Sequence, residues 1–201
     1  IQSFHDTKNV HCGEGGAVLI NDPALVEAAE IMREKGTNRS KFLRGQVDKY
    51  TWVDWGSSYL PSELNAAVLD AQLDAFEGIQ ERRFEIWNTY SAALTEWASS
   101  LGGSVMTPVD GEHAAHVFYV LMPDQDTRDS LLEYLRGNGV VGTFHYVPLH
   151  SSPAGKKYGR TVGSLEKTDS FAGRLARLPL WPGMTDAQVA YVIDTVKAFQ
   201  K

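Results

Sequence analysis

Lys8 is the residue of this sequence with the clearest potential for covalent chemistry. It precedes a glycine-rich turn at residues 13–16 and an apolar run at 17–20. A lysine amine acts as a nucleophile when part of it is neutral, and burial or a nearby cation provides that neutral fraction. Such an amine can form an imine with a carbonyl cofactor or substrate. Spacing alone favours the ordinary alternative, a solvated surface lysine.

Two other features could bind ligands. The glycine-rich turn could offer backbone N–H groups to an anion, but it lacks the Gly-Lys-Ser/Thr ending of a triphosphate-binding loop and no helix follows it directly, so a plain turn is expected. Histidines occur in two pairs, His113 with His116 and His145 with His150. Neither pair lies in a convincing ligand helix, so we predict no metal site.

A basic and aromatic segment follows the first predicted helix. Between residues 39 and 55 it carries Arg39, Lys41, Arg44, Lys49, Trp52 and Trp55. Guanidinium groups bind phosphate in a bidentate manner and indoles offer flat faces to a base, so the segment could hold a nucleotide. The alternative is a solvated loop with packed tryptophans, and the residues alone favour neither. No clear period is visible from 37 to 59, which predicts one long loop.

The first predicted elements must position these residues. Residues 17–20 have the length and composition of a buried strand. A helix begins at the Asp22 cap with Pro23 in its first turn and ends at Gly36. A second helix begins at residues 61–63 and places Leu64 and several small residues on one face, which we expect to be deeply buried.

The remaining elements form a compact α+β unit. A break near residues 77–78 precedes a helix whose positions from Arg83 to Trp97 repeat at spacings of three and four. We then predict a strand at 116–122, a helix at about 127–136, a strand at 140–147, a loop at 151–164 and a short helix at about 169–178. The final helix opens with the capping box of Thr185 and Gln188 and buries an apolar face ending at Phe199.

Composition excludes several classes of protein. The 201 residues are 43% hydrophobic and 22% charged, which is typical of globular chains. A net charge of −6 argues against a nucleic-acid partner. The single cysteine, Cys12, cannot form an internal disulfide, so we expect a reducing, cytoplasmic location. No apolar run approaches the roughly 20 residues that cross a bilayer, so no membrane span is expected. The first residues contain neither an initiator Met nor a signal core, and we expect the chain to begin inside a larger protein.

Several short motifs occur in the order and spacing of one known family. They are SFHDTKN at 3–9, GEGG at 13–16, SELNAA at 62–67, AQL at 71–73, GTFHYVPLH at 142–150 and LPL at 178–180. The chain therefore resembles the DegT/DnrJ/EryC1/StrS family of sugar-nucleotide aminotransferases over nearly its whole length. The resemblance implies an α/β chain with the type I aminotransferase fold of enzymes that use pyridoxal 5'-phosphate. Residues 1–75 would be the end of the large cofactor-binding domain, and residues 76–201 the small α+β C-terminal domain.

The resemblance also implies site residues. Lys8 would bind pyridoxal phosphate covalently and act as the catalytic residue, while Ser3 would donate to the cofactor phosphate. Ser58 stands where most of the family has an Asn that reaches the phosphate of the neighbouring subunit. The substrate side would include His5, Arg39, His145 and Tyr146.

The activity implied is transamination of a keto-sugar nucleotide with an amino-acid donor, glutamate being expected, in a homodimer with shared active sites. The chain would hold the C-terminal half of the fold, so the group that protonates the pyridine nitrogen would lie outside it and this part alone would be inactive. Two alternatives stay open at this point. The enzyme could act on a different keto-sugar nucleotide, or the chain could be a non-catalytic assembly or regulatory module with the same fold.

Overall fold

The chain divides into two compact units. A computed structural model describes residues 1–108 and 112–200. The first unit is Ile1–Phe76 and the second is Glu77–Lys201.

The first unit combines a small hairpin with three helices. Strand β1 (Gln2–Ser3) pairs antiparallel with β2 (Gly16–Ala17). A 3-10 turn at Pro23–Leu25 leads into α1 (Val26–Arg33), and α2 (Arg39–Leu43) and α3 (Glu63–Asp74) follow. The Asp22 and Ser62 side chains accept hydrogen bonds from Ala24 N and Asn65 N, respectively. The predicted Asp22 cap is confirmed, although it starts the 3-10 turn that leads into α1, and α3 begins within residues 61–63 as predicted.

Three expectations for this unit are wrong. The strand expected at 17–20 contains only Ala17, and the next two residues, Val18 and Leu19, are exposed. The face of α3 expected to be deeply buried is open, because no residue of α3 is buried and Leu64 is 80% exposed. The segment from 37 to 59 is not a continuous loop, since α2 lies within it. An apolar face is buried only where a partner covers it, and no partner covers these faces among the described residues.

The second unit is a four-stranded antiparallel sheet with helices. Its elements are α4 (Phe76–Ser100), β3 (Ser104–Val105), β4 (Phe118–Leu121), α5 (Gln125–Gly137), β5 (Thr143–Phe144), α6 (Pro153–Tyr158), α7 (Glu166–Arg174), β6 (Leu175–Leu178) and α8 (Asp186–Ala198), with a 3-10 turn at Leu149–Ser151. The strand order is β3-β4-β6-β5. The predicted capping box of α8 is confirmed, since Thr185 Oγ1 accepts from Gln188 N and Gln188 Oε1 accepts from Thr185 N.

The core of the second unit is formed by helix faces that the sequence period predicts. The fully buried side chains include Ile86, Tyr90, Leu94, Phe118, Val120, Leu131, Leu135 and Val196. Tyr90 anchors α4 because its hydroxyl donates to Pro179 O at 2.9 Å, and burial raises the pKa of this phenol. The chain therefore satisfies one polar group inside an otherwise apolar core.

Several predicted boundaries in this unit need correction. Residues 77–78 lie inside α4, and the helices α3 and α4 are separated by Ala75 alone. The strand expected at 140–147 is reduced to β5, and the loop expected at 151–164 contains α6. The short helix expected at 169–178 ends at Arg174, after which β6 begins. Residues 175–178 are a strand because they pair with β4 along its whole length, a contact that local sequence does not encode.

Candidate active site

Lys8 lies on the hairpin that joins β1 to β2. Phe4 N donates to Gly15 O and Asp6 N donates to Gly13 O, both at 2.8 Å, and Lys8 N donates to His5 O at 2.9 Å. The Lys8 side chain is exposed and has no hydrogen bond or ion pair with the residues that the structure describes. The hairpin thus holds the Lys8 backbone in a turn and leaves its amine available to a ligand.

Small residues allow the hairpin to close. A Cβ atom on Gly15 would lie 2.6 Å from Cys12 Sγ, and one on Gly16 would lie 2.9 Å from Gln2 O. Cys12 is buried, and its thiol points toward the carbonyls of Phe4 and Glu14. Glycines 15 and 16 are therefore required by close packing of the turn. The glycine-rich motif serves as the plain turn that the sequence favours.

Ser3 and His5 lie on the same hairpin as Lys8. Ser3 Oγ accepts from His5 N at 3.4 Å, which leaves its own O–H free to donate. The His5 ring lies between two carboxylates, with Nδ1 2.7 Å from Asp6 Oδ1 and Nε2 3.5 Å from Glu14 Oε1. The hairpin therefore presents a hydroxyl, an oriented imidazole and an amine within six residues.

Glu34 is a buried carboxylate that the sequence analysis missed. It is 8% exposed, and its Oε1 accepts from Arg33 Nη2 at 3.0 Å and from Ser40 Oγ at 3.3 Å. The predicted substrate residue Arg39 places Nε 3.6 Å from Oε2, which has no hydrogen-bond partner of its own. Ser58 pairs with Glu34 in an isolated bridge and lines a narrow cavity with Arg39. The structure thus brings two predicted site residues together around Glu34.

The basic segment is largely neutralised by acidic partners. Arg44 forms a bidentate pair with Glu30, with both N–O distances 2.7 Å, and this hydrogen bonding lowers the pKa of Glu30. Lys41 pairs with Glu27 at 2.5 Å. Trp52 and Trp55 are 76% and 87% exposed, so they are not packed inside the loop. The segment therefore offers exposed indoles, while three of its four basic side chains, counting Arg39, already have acidic partners.

His145 and Tyr146 belong to the second unit. Their rings lie 5.2 Å apart and border a cavity of about 480 Å³ that Lys167 and Phe171 also line. Burial lowers the pKa of His145, and the positive charge of Arg177 lowers it further. A neutral imidazole and a phenol are thus available to a polar ligand at this cavity.

One histidine of each predicted pair has contacts within the second unit. The His113 ring packs 4.6 Å from Trp87 and 5.0 Å from Phe84, and His150 Nε2 lies 3.0 Å from Asp169 Oδ1. Among residues 1–108 and 112–200, no group of three or more His, Cys, Asp or Glu side chains could hold a metal ion.

The hairpin suits a cofactor that carries both a phosphate and an aldehyde. Ser3 offers a free hydroxyl donor, and Lys8 offers an amine that pairs with no carboxylate in the described part of the chain. A phosphate needs donors and an aldehyde needs an amine, so the donor set fits pyridoxal phosphate.

Glu34 and Arg177 are polar groups near the predicted site residues that the sequence analysis overlooked. Strand alternation along β6 would have placed Arg177 on one sheet face, but the sequence predicted a helix at these residues.

Comparisons with known proteins agree with this chemistry. The sequence model described as the DegT/DnrJ/EryC1/StrS aminotransferase family matches residues 1–197. The dTDP-3-amino-3,4,6-trideoxy-alpha-D-glucose transaminase of Streptomyces venezuelae is 32% identical over 97% of this chain and 48% of its own length. The pleiotropic regulatory protein of Geobacillus stearothermophilus is 27% identical over 99% of this chain and 51% of its own length.

A solved structure shows the same fold. The crystal structure of DesV from S. venezuelae superposes with a TM-score of 0.81 and 32% identity over 97% of this chain and 49% of DesV. The chain spans about half the length of the curated relatives it matches. The described helices also include none that is long and apolar enough to cross a membrane.

Proposed function

Because this chain belongs to the DegT/DnrJ/EryC1/StrS aminotransferase family, we propose that the full-length protein transfers an amino group from an amino acid to a keto-sugar nucleotide. One observation carries this proposal. Within the described residues the Lys8 amine has no hydrogen-bond or ion-pair partner, and it shares one tight hairpin with the free hydroxyl donor of Ser3, in a chain that matches the family over residues 1–197.

The cofactor of this family is pyridoxal phosphate. When bound, it supplies an aldehyde that forms a C=N bond with an amine and a ring that withdraws electrons from the adjacent carbon. Ser3 Oγ would donate to its phosphate, and Lys8 Nζ would bind its aldehyde carbon. Ser58 would reach a phosphate directly or through one water, since its hydroxyl is shorter than the Asn usual in the family. His5 would orient groups beside Lys8.

Lys8 would also move the proton. Once an amino donor occupies the site, Lys8 Nζ would be free to take the proton from the donor Cα and pass it to the cofactor carbon. In the second half of the reaction the same nitrogen would take a proton from the cofactor carbon and pass it to the carbon that becomes the amino-bearing carbon of the sugar. One lysine can do both because the hairpin fixes its backbone while its four-carbon stem remains mobile.

The proposed substrate is dTDP-4-keto-6-deoxyglucose, which would become dTDP-4-amino-4,6-dideoxygalactose with glutamate as donor. The support is the resemblance of residues 34–40, 44–54 and 56–63 to the transaminase that forms this product. His5, Arg39, His145 and Tyr146 would contact this substrate. An alternative is amination at C3, because the relative from S. venezuelae is named for a 3-amino sugar. Turnover of 4-keto against 3-keto sugar nucleotides by the full-length enzyme separates the two.

We further infer a cytoplasmic homodimer. The role of Ser58 supports this inference, because in the proposed arrangement its hydroxyl serves the cofactor of the neighbouring subunit. Sedimentation of the full-length protein tests the dimer. A non-catalytic regulatory module is the remaining alternative, since one relative carries a regulatory name.

A covalent trapping experiment tests the function. The full-length protein is incubated with pyridoxal phosphate, reduced with borohydride to fix any C=N bond, and mapped by peptide mass spectrometry. We expect one adduct on the peptide that contains Lys8, lost in Lys8→Arg and retained in Lys156→Arg, which changes an exposed lysine of α6. A folded protein without an adduct at Lys8 would leave the regulatory module as the better explanation.

A further inference from the structure

The sheet of the second unit has two faces of different character. One face is apolar and buried, and it carries Phe118, Val120, Ala176 and Leu178. Successive side chains of a strand point to opposite faces, so Tyr119 and Arg177, which pair across β4 and β6, lie on the other face. Thr143 of β5 pairs with Arg177 from the opposite side. Three polar side chains therefore form one row across three strands.

Arg177 at the centre of this row has no ion-pair partner in residues 1–108 and 112–200. Among the residues that the structure describes, no carboxylate oxygen lies within 4.0 Å of its guanidinium group. Its Nε is enclosed and lacks a hydrogen-bond acceptor. Partly buried charges are normally paired, and an enclosed donor normally has an acceptor. Arg177 is therefore a partly buried cation whose hydrogen-bonding capacity is not used by the described residues.

His145 follows β5 directly and borders the cavity of about 480 Å³ together with Lys167 and Leu175. Leu175 lies on the same side of β6 as Arg177, so the cavity adjoins the row. The positive charge of Arg177 also lowers the pKa of His145. The cavity is thus bordered by cationic and neutral donors.

We propose that Arg177 and His145 bind an oxyanion group of one of the two substrates, either a carboxylate of the amino donor or a phosphate of the sugar nucleotide. This inference rests on the proposed function and deepens it. The planar guanidinium group presents parallel N–H donors that match carboxylate and phosphate geometry. His145 supplies a further donor at the edge of the cavity, and Lys167 adds positive charge.

Binding of an anion at this position also affects protonation. The titratable groups at His145 are Arg177 from β6, Lys167 from α7 and the neighbouring Tyr146 phenol, with Tyr119 on the same sheet face. In the free protein, burial and the Arg177 charge hold the pKa of His145 below its usual value. A bound anion would neutralise Arg177 and favour the imidazolium, so the pKa of His145 rises on binding.

The experiment uses the cofactor-free, full-length protein, so it does not depend on turnover. Glutarate and thymidine diphosphate are titrated separately by calorimetry, with histidine Cε1 resonances followed by NMR. We expect one of the two probes to bind and to raise the pKa of His145. Glutarate binding assigns the anion to the amino donor, and thymidine diphosphate binding assigns it to the sugar nucleotide.

Variants identify the residue responsible. Arg177→Met should weaken binding of the probe that binds by about 10- to 100-fold. Arg177→Lys should weaken it less, because lysine keeps the positive charge but lacks the parallel N–H donors of the guanidinium group. Arg136→Met, which removes an exposed arginine from the last turn of α5, should bind like the parent protein. Circular dichroism checks that each variant is folded.

Two results would overturn the inference. One is that the parent protein binds neither probe and its His145 resonance does not respond, a result that needs no variant. The other is that a folded Arg177→Met binds both probes as the parent does. Failure of the Lys8 trapping experiment is a separate result, because anion binding here is measured without cofactor.

Discussion

Arg83 is a buried cation that holds a strained backbone segment in the second unit. It is 6% exposed, with Nε donating to Ala115 O at 3.1 Å and Nη2 donating to His116 O at 2.5 Å. Ala115 itself is buried and has a left-handed φ of 43°. Because alanine rarely adopts this conformation, the two hydrogen bonds from Arg83 help to keep the chain in place before β4 begins.

The cost of Arg83→Met follows from these contacts. A hydrogen bond from a charged group contributes about 1.5–3 kcal/mol, and the buried Ala115 carbonyl would lose its partner without access to water. The carbonyl of the exposed residue His116 would regain water and cost about 0.5–1 kcal/mol. We therefore expect the free energy of opening of the second unit to fall by about 2–4 kcal/mol.

Hydrogen exchange of the β4 amides measures this effect locally, because exchange from a central strand reports the opening of its own unit. The control is Arg82→Met. Its partners are exposed Glu85 and Asp186 and the Met184 carbonyl, none of which belongs to the segment before β4, so its removal should affect β4 exchange less. Ala115→Gly should recover part of the loss in the Arg83→Met background, since glycine adopts a positive φ without strain.

The reasoning would be refuted by an Arg83→Met variant whose β4 exchange matches that of Arg82→Met. That result would mean that the desolvation of the guanidinium group cancels the hydrogen bonds it makes. Burial already lowers the pKa of Arg83, which shows that desolvation opposes the charge here, although an arginine remains protonated at neutral pH.

Three further predictions concern the first unit and the last helix. Glu34→Gln should lower the free energy of opening of residues 34–58 by about 1 kcal/mol, as measured by hydrogen exchange. The effect should be smaller at high salt, because the arginine partners of Glu34 are half-exposed. An effect that does not depend on salt would contradict the role of the ion pairs. Gly36→Ala should unfold this segment, because a Cβ would collide with the Asp54 carbonyl. Gly45 has a similar φ of 70° but no atom within 4 Å of an added Cβ, so Gly45→Ala should lower the stability by only about 1–2 kcal/mol. Equal losses of stability in thermal unfolding would argue against the collision. Thr185→Ala should lower the free energy of unfolding in urea by about 1 kcal/mol, because the cap of α8 is lost. The mid-helix control Thr89→Ala should leave this free energy unchanged or raise it. A Thr185→Ala variant as stable as the parent would show that the capping box contributes little.

The positions of the helices were predictable because their signals are local. The caps at Asp22, Ser62 and Thr185 each involve atoms within three residues, and the structure contains all three. The buried faces of α4 and α8 follow from spacing in the same way. The family was also recognisable, because its motifs keep their order and spacing and the family comparison confirms it. The predicted roles of Ser3, His5, Lys8, Ser58, Arg39, His145 and Tyr146 stay predictions.

Tertiary structure alone decided the rest. The apolar face of α3 has the spacing of a buried helix, yet Leu64 is exposed, because burial depends on a covering surface that the helix sequence does not contain. Residues 175–178 are a strand because β4 supplies pairing partners more than 50 residues earlier in the chain. That pairing sets the alternation of β6 and places Arg177 on the sheet face opposite Phe118 and Val120. The sequence by itself determined local caps, helix periods and family membership, whereas the polar groups of the sites were set by contacts between distant segments.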